Sequence, residues 1–133
     1  MPPQLEQGRI IYATVEDRRG QRRKTRPLVI VSETNDIVEG QPFYCVAISS
    51  TFATPLPDDH VLLPSGRGRG QHPRTLLTRE CAAVCKWLEK ITTEDVESVG
   101  GILAGGPLRD VIQKVARFAP IPKSNPPEEP SVS

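Results

Sequence analysis

Short apolar runs separated by turn residues recur along the chain and predict β-strands. Four runs are rich in Val, Ile and aromatic residues and are bounded by Gly, Pro, Asn or Asp, which is typical of strands buried in a sheet. They are residues 9–15, 26–31, 43–49 and 60–63. A fifth stretch, residues 75–87, is predicted as one or two strands, with a helix as the alternative because Ala82 and Ala83 favour helix.

A single helix is predicted near the end of the chain. Gly106-Pro107 places a proline at the first helical position, and an apolar face follows at helical spacing. That face consists of Leu108, Val111, Ile112, Val115 and Ala116. Before it, residues 92–95 have the sequence of a helix cap that opens one turn, whereas residues 96–103 fit no element clearly.

Short strands followed by one helix predict a mainly β fold, a small antiparallel barrel with a C-terminal helix. The chain of 133 residues has the length of a single domain. We expect residues 1–7 to be a flexible lead and residues 8–118 to form the domain. Residues 119–133 contain five prolines and few apolar side chains, and they are predicted to be a disordered tail.

The distribution of charge is more informative than the net charge of +1. Residues 18–26 contain six cations in nine positions, and Arg67, Arg69, Arg74 and Arg79 form a second group. Such runs are often solvated loops, and the alternative is a surface that binds a phosphate backbone.

Several classes of protein are disfavoured by what the sequence lacks. Three cysteines do not suggest a disulfide framework and fit a reducing cytoplasm, and no apolar run is long enough for a signal peptide or a membrane span. Nucleotide-binding and clustered-acid metal motifs are missing as well, so we expect neither a metal nor a cofactor. His60, His72, Cys81 and Cys85 match no tight zinc spacing, and we expect both cysteines to point inward as small apolar residues.

The strands at residues 26–31 and 43–49 have polar groups where each begins or ends. Arg26 precedes Pro27, which favours an extended backbone and presents the guanidinium at the start of the strand. Ser49, Ser50 and Thr51 follow the next apolar run. We predict that these two ends meet and form a nucleic-acid site.

RNA cleavage is chemically accessible to such a site because RNA supplies its own nucleophile, the 2′-hydroxyl. One carboxylate, one or two guanidiniums and a few hydrogen-bond donors suffice without a metal. Glu80, beside Thr78 and Arg79, is a candidate general base; the alternative interpretation is that Glu80 forms an ion pair with Arg79 or Arg74. Arg26 is a candidate for binding the phosphate; the alternative interpretation is that Arg26 is an ordinary surface cation.

The segment GRIIYATVEDRRGQRRKTRPLVIVS, residues 8–32, resembles the N-terminal signature of the MazF/PemK toxins. Residues 46–50 are similar to the third strand of that family, residues 80–87 to its strand with an acidic residue, and the helix from Pro107 to its last helix. The resemblance covers residues 8–118. It implies an SH3-like (CcdB/PemK-like) barrel, a homodimer, and a metal-independent endoribonuclease toxin acting on single-stranded RNA in the cytoplasm. The products would be a 2′,3′-cyclic phosphate and a 5′-hydroxyl, and a cognate antitoxin would cover the RNA groove.

The resemblance also implies roles for individual residues. Catalytic roles fall on Arg26, Ser49, Glu80 and Arg79. RNA-binding roles fall on Arg18, Arg19, Gln21, Arg22, Arg23, Lys24, Thr25, Ser50, Thr51 and Thr78. The family usually carries an acid or a histidine after the glycine of the first loop, whereas Gly20 is followed here by Gln21 and two arginines. One alternative is therefore a module that binds RNA or DNA and has lost its catalytic general base. Another, from a different class, is a toxin that acts on DNA gyrase.

Overall fold

The computed structural model describes residues 5–16, 23–65 and 74–122. Within these ranges the chain forms six strands, two single 3₁₀ turns and one helix. The strands are β1 (Arg9–Glu16), β2 (Arg23–Ile30), β3 (Phe43–Ser49), β4 (His60–Leu63), β5 (Cys81–Ile91) and β6 (Val96–Ile102). The 3₁₀ turns are Thr34–Asp36 and Thr93–Asp95, and helix α1 is Gly105–Phe118.

The six strands form one sheet in the order β4-β5-β3-β2-β1-β6, and each neighbouring pair is antiparallel. The segment at Arg74 and Thr75 bridges the two edge strands. The Ile102 amide of β6 donates to the Arg74 carbonyl at 2.8 Å, and the Thr75 hydroxyl donates to the Pro64 carbonyl beside β4 at 2.8 Å. Gly101 permits this approach, because a Cβ atom there would collide with the Arg74 carbonyl. The sheet is thereby closed into the predicted small barrel.

Both faces of the central strands are buried, which explains their nearly continuous apolar sequences. Ile10, Val29 and Val46 pack on one face in a cluster that includes Val111 and Val115 of α1. A second cluster on the opposite face contains alternate residues of the same strands, namely Ile11, Ala13, Val15, Leu28, Ile30, Phe43, Cys45 and Ala47. Because a fully buried Val, Leu, Ile or Phe side chain contributes about 1.5–3 kcal/mol, these two clusters hold the barrel together.

Strand β5 is long and bends where its register with β3 is broken. Ile48 pairs with Ala83 and Val46 pairs with Leu88, so extra residues of β5 are accommodated between the two pairs. After the bend, Trp87 packs against the second cluster, whereas the first part of β5 packs against the first. The bend brings the Trp87 ring close to the Arg26 guanidinium of β2.

The strands predicted at residues 43–49 and 60–63 are confirmed, as is the capped turn at residues 92–95. The predicted start of β2 at Arg26 was too late, because Arg23 and Lys24 pair with the end of β1. The prediction of a strand over residues 75–87 was also wrong in its bounds. The Thr75 hydroxyl and the left-handed backbone of Leu76 (φ 60°) keep that segment out of the sheet.

The helix begins at Gly105, slightly earlier than predicted, and its apolar face is narrower than expected. Val111 and Val115 are buried and Leu108 and Ile112 are half-buried, whereas Ala116 is exposed. Beyond the helix, Ile121 packs against the first cluster. No helix in the described part of the chain is long and apolar enough to cross a bilayer.

Candidate functional site

A polar cleft of about 370 Å³ opens at the end of the sheet where β2 begins and β3 ends. Its walls come from β1, β2, the residues after β3, and the segment before β5. Eight of the predicted site residues line it: Lys24, Thr25, Arg26, Ser49, Ser50, Thr51, Thr78 and Arg79. Arg18, Arg19, Gln21 and Arg22 lie outside the described residues, and only the backbone of Arg23 is described. The lining that is described supplies cations and hydroxyls, the groups that bind phosphate oxygens.

Arg26 and Ser49 lie on the same face of the sheet. Leu28 pairs with Ala47 across β2 and β3, and Arg26 and Ser49 lie two residues beyond that pair, each in the direction of the cleft. Since side chains alternate along a strand, both side chains leave the sheet on the side of Leu28 and Ala47. Both residues line the cleft and both are half-buried.

The Arg26 guanidinium is held by an aromatic ring but lacks a full set of hydrogen bonds. Its central carbon lies 5.2 Å from the centroid of the Trp87 ring, and Trp87 is fixed by a 2.8 Å hydrogen bond from its indole nitrogen to Glu89. The Arg26 Nε is buried and has no hydrogen-bond partner among the described residues. Buried donors are nearly always paired in proteins, so this N–H is suited to an acceptor from a ligand.

The Ser49 hydroxyl organises the loop that forms the next wall of the cleft. It donates to the Thr51 carbonyl at 2.8 Å and accepts from the Thr51 amide at 3.1 Å. Ser50 and Thr51 are exposed at this turn and line the cleft. The cluster of hydroxyls predicted from the sequence is therefore a compact turn across the end of β3.

The segment before β5 forms another wall of the cleft. Leu77 is buried and anchors it, whereas Leu76 is 68% exposed and lines the cleft. Thr78 and Arg79 are exposed and line the cleft too. Glu80 precedes β5, in contrast to the prediction that it lies within a strand, and it is exposed and not among the lining residues.

A carboxylate that the sequence did not single out lies next to Thr25, one of the residues that line the cleft. Glu97 of β6 accepts hydrogen bonds from the hydroxyls of Thr14 and Thr25, the second at 3.1 Å, and the two hydroxyl oxygens are 3.2 Å apart. These hydrogen bonds, that from Thr14 above all, lower the pKa of Glu97. The contacts join residues far apart in the chain, so no local sequence pattern indicates them.

Residues 5–16, 23–65 and 74–122 contain no group of three His, Cys, Asp or Glu side chains that could hold a metal ion. His60 forms a 2.7 Å hydrogen bond with Asp59, and His72 lies outside the described residues. Cys81 and Cys85 are buried free thiols, in agreement with the interpretation of both as small apolar residues.

No family model and no curated protein matches the sequence. Solved structures do match the fold. An endoribonuclease from a mycobacterial species, in complex with its cognate antitoxin, superposes with a TM-score of 0.66 at 14% identity, covering 89% of this chain and 97% of that one. MazF from Deinococcus radiodurans gives a TM-score of 0.65 at 12% identity, with 90% and 99% coverage. The Mycobacterium tuberculosis toxin MazF-mt6 gives 0.62 at 14% identity, with 83% and 94% coverage. The chain therefore has the fold of these toxins.

Proposed function

We propose that this protein is a metal-independent endoribonuclease that cleaves single-stranded RNA and acts as the toxin of a toxin–antitoxin pair. The observation that carries the proposal is the meeting of Arg26 and Ser49 in one cleft, with the buried Arg26 Nε left without a hydrogen-bond partner among the described residues. The fold supports it, because structures of the same fold are endoribonucleases, one of them in complex with its cognate antitoxin.

In the proposed reaction, the 2′-oxygen of the substrate attacks the adjacent phosphorus and the bond from phosphorus to the 5′-oxygen breaks. The 2′-hydroxyl loses its proton, the leaving 5′-oxygen gains one, and the products are a 2′,3′-cyclic phosphate and a 5′-hydroxyl. The phosphoryl group gains negative charge in the transition state. Preorganised donors at that position typically contribute about 10²–10³ in rate each.

Arg26 is proposed to provide the principal donor. Its stacking on Trp87 fixes the plane of the guanidinium, so that Nε–H and a terminal N–H present the fork that matches two phosphate oxygens. Arg79 lines the same cleft and adds positive charge. Ser49 holds the loop at residues 50–51 in place, and its hydroxyl can turn from the Thr51 carbonyl to a bound phosphate.

The described lining of the cleft has the cations and hydroxyls to hold and neutralise a phosphate but contributes no carboxylate or imidazole. This observation favours a second candidate function, a nucleic-acid-binding protein that does not cut. General acid–base groups contribute about 10²–10⁴ in rate, so a site without one would bind RNA and cleave it very slowly.

We further propose that the partner is a protein antitoxin, that the toxin acts in the cytoplasm as a homodimer, and that it needs no cofactor. The antitoxin proposal is supported by structures of the Deinococcus radiodurans MazE–MazF complex, which match the fold of this chain at 12–13% identity. A groove lined by cations is complementary to an acidic protein segment as well as to RNA.

The test is incubation of the purified protein with a long single-stranded RNA in the presence of EDTA. Fragments that end in a cyclic phosphate and begin with a 5′-hydroxyl support the endoribonuclease, and Arg26→Ala should slow their formation by about 10²–10³-fold. Intact RNA that nevertheless binds the protein in a salt-sensitive manner supports the non-cleaving alternative.

A further inference from the structure

Leu76 is the most exposed large apolar side chain in the described part of the chain, and it lines the cleft that is proposed to hold RNA. Its side chain is 68% exposed. The other apolar residues of the described lining are buried or half-buried, namely Tyr12, Pro27, Ile48, Leu77 and Cys81. Leu76 therefore gives this polar cleft its most accessible apolar surface.

The backbone is anchored on both sides of Leu76. Thr75 is buried, and its hydroxyl donates to the Pro64 carbonyl at 2.8 Å and accepts from the Leu77 amide at 3.3 Å. Leu77 is buried as well. Because both neighbours are fixed by the fold, the position of Leu76 at the cleft is fixed with them.

Leu76 also has a backbone conformation that leucine rarely adopts. Its φ of 60° lies in the left-handed region, where a bulky side chain is crowded and glycine is not. The exposed side chain regains little of this cost through burial in the free protein. Strained residues of this kind are concentrated at sites that bind ligands. A contact with a ligand therefore accounts for a leucine at this position better than the fold does.

The chemistry of the cleft indicates which part of a ligand would contact Leu76. The cations Lys24, Arg26 and Arg79 suit the phosphates of a nucleic acid, whereas the flat faces of its bases are apolar. Proteins that bind single-stranded RNA pack its unstacked bases against their own side chains. Leu76 precedes Arg79 by three residues in the same wall, so this segment offers an apolar contact and a cation to one strand.

We infer that Leu76 is the contact for an unstacked nucleobase of the strand whose backbone occupies the cleft. The inference rests on the proposed function for RNA as the occupant, and it adds the residue that receives a base. Because every base has an apolar face, this contact contributes affinity for all four bases rather than selectivity for one.

The experiment measures the binding of two single-stranded oligodeoxynucleotides of equal length and charge. One carries a mixture of the four bases, and in the other every base is replaced by a tetrahydrofuran abasic site. Neither has a 2′-hydroxyl, so the proposed reaction cannot cleave them. Fluorescence anisotropy at one salt concentration gives each Kd. The ratio of the two Kd values isolates the contribution of the bases, because both probes offer the same phosphates.

We expect the unmodified protein to bind the base-bearing probe more tightly than the abasic probe. Leu76→Ala should weaken binding of the base-bearing probe by about fivefold and that of the abasic probe by less than about twofold, as expected for loss of an apolar contact. Arg26→Ala should weaken both probes alike, because it removes a phosphate contact. Leu62→Ala removes another exposed leucine, one outside the cleft lining, and should change neither Kd.

Leu76→Gly separates a contact with the ligand from a role in the fold. The variant should lose the same preference for the base-bearing probe as Leu76→Ala. Its Tm should be unchanged or higher, because glycine adopts the left-handed conformation without crowding. A lower Tm would show that the leucine serves the fold and would overturn the inference.

Three binding results would also overturn it: equal affinity of the unmodified protein for the two probes, no binding of either probe, or unchanged binding of the base-bearing probe by Leu76→Ala. The last result would favour a protein as the partner of this side chain. Failure of the proposed cleavage is a separate result. Base-dependent binding through Leu76, by a protein that leaves ordinary RNA intact in EDTA, would refute cleavage and support the role of Leu76.

Discussion

Replacement of Arg26 by alanine tests whether this arginine serves function or stability. The structure predicts that the variant keeps or gains stability and loses activity. The substitution removes the stacking of the guanidinium on Trp87, worth about 0.5–1 kcal/mol. It also removes the buried Nε donor that has no partner among the described residues, and an unpaired buried donor costs about 1–3 kcal/mol. The free energy of unfolding should therefore stay unchanged or rise, by up to about 2 kcal/mol.

Activity should fall steeply in the same variant. Loss of one preorganised donor to the transition state costs about 2.7–4 kcal/mol, or about 10²–10³ in rate. Arg26→Lys should give an intermediate rate, because lysine keeps the charge and loses the planar fork. The dependence of RNA binding on salt should also weaken, with a slope of log K against log salt that is smaller by about 1.

The assay combines urea unfolding, followed by circular dichroism and by the fluorescence of the single tryptophan, with initial rates of RNA cleavage. Arg109→Ala, at an exposed position of helix α1, is the matched control and should change neither quantity appreciably. The reasoning is refuted if Arg26→Ala lowers stability and activity together, or if Arg109→Ala lowers the rate as much as Arg26→Ala does.

Three further predictions follow from other parts of the chain. Gly101→Ala should destabilise the fold by about 3 kcal/mol or more, because the added Cβ would meet the backbone that closes the barrel. Gly106→Ala should stabilise the fold by up to about 1 kcal/mol, because Gly106 lies in open space at the start of the helix. Urea unfolding measures both changes. Burial raises the pKa of the Cys85 thiol to about 11 and that of Cys45 further still, so neither should react with iodoacetamide at pH 8 until the protein is unfolded, as peptide mass spectrometry would show. Hydrogen bonds hold the pKa of Glu97 below its usual 4.5, so its ionised form stabilises the fold above about pH 4.5. This contribution is lost as the pH falls through the lowered pKa. Glu97→Gln should therefore show a smaller drop in Tm on acidification than the unmodified protein.

The parts of the fold that were predictable from the sequence are those whose side chains are buried on both faces. Strand β3 is an example, because neighbouring apolar residues belong to opposite clusters and the run therefore ends where the burial ends. The start of β2 was not predictable in this way. Lys24 and Thr25 pair with β1 beside solvent, where polar side chains fit a strand as well as a loop.

Strand β5 shows why local patterns misplace an element. Its bend moves Trp87 and Ile91 to the opposite cluster from Cys81 and Cys85, so the alternation of apolar residues changes phase within one strand. The apparent continuity of residues 75–87 arises because Leu77 is buried by a loop rather than by a sheet. Glu80 was assigned to the site on that continuity and on the family resemblance, and the structure leaves it before the strand and outside the cleft lining.

The residues of the candidate site also differ in how far the sequence could predict them. Arg26 and Ser49 were predictable because each lies at the polar end of a buried apolar run and the two runs are neighbours in the chain. The contacts of Trp87 with Arg26 and of Glu97 with Thr25 join distant strands, which only the folded sheet brings together. The ring beside the Arg26 guanidinium and the carboxylate beside Thr25 were therefore not identifiable from spacing.

The central claim is that Arg26 and Ser49 hold the phosphate at which the RNA is cut. The most direct measurement is a crystal structure of the protein with an RNA made resistant to cleavage by a 2′-deoxyribose at the mapped cut position. The account predicts that the phosphate following that nucleotide accepts a hydrogen bond from the Arg26 Nε, at about 2.9 Å, with the Ser49 hydroxyl facing the same group. A phosphate bound elsewhere in the chain, with the Arg26 Nε still unpaired, would contradict it.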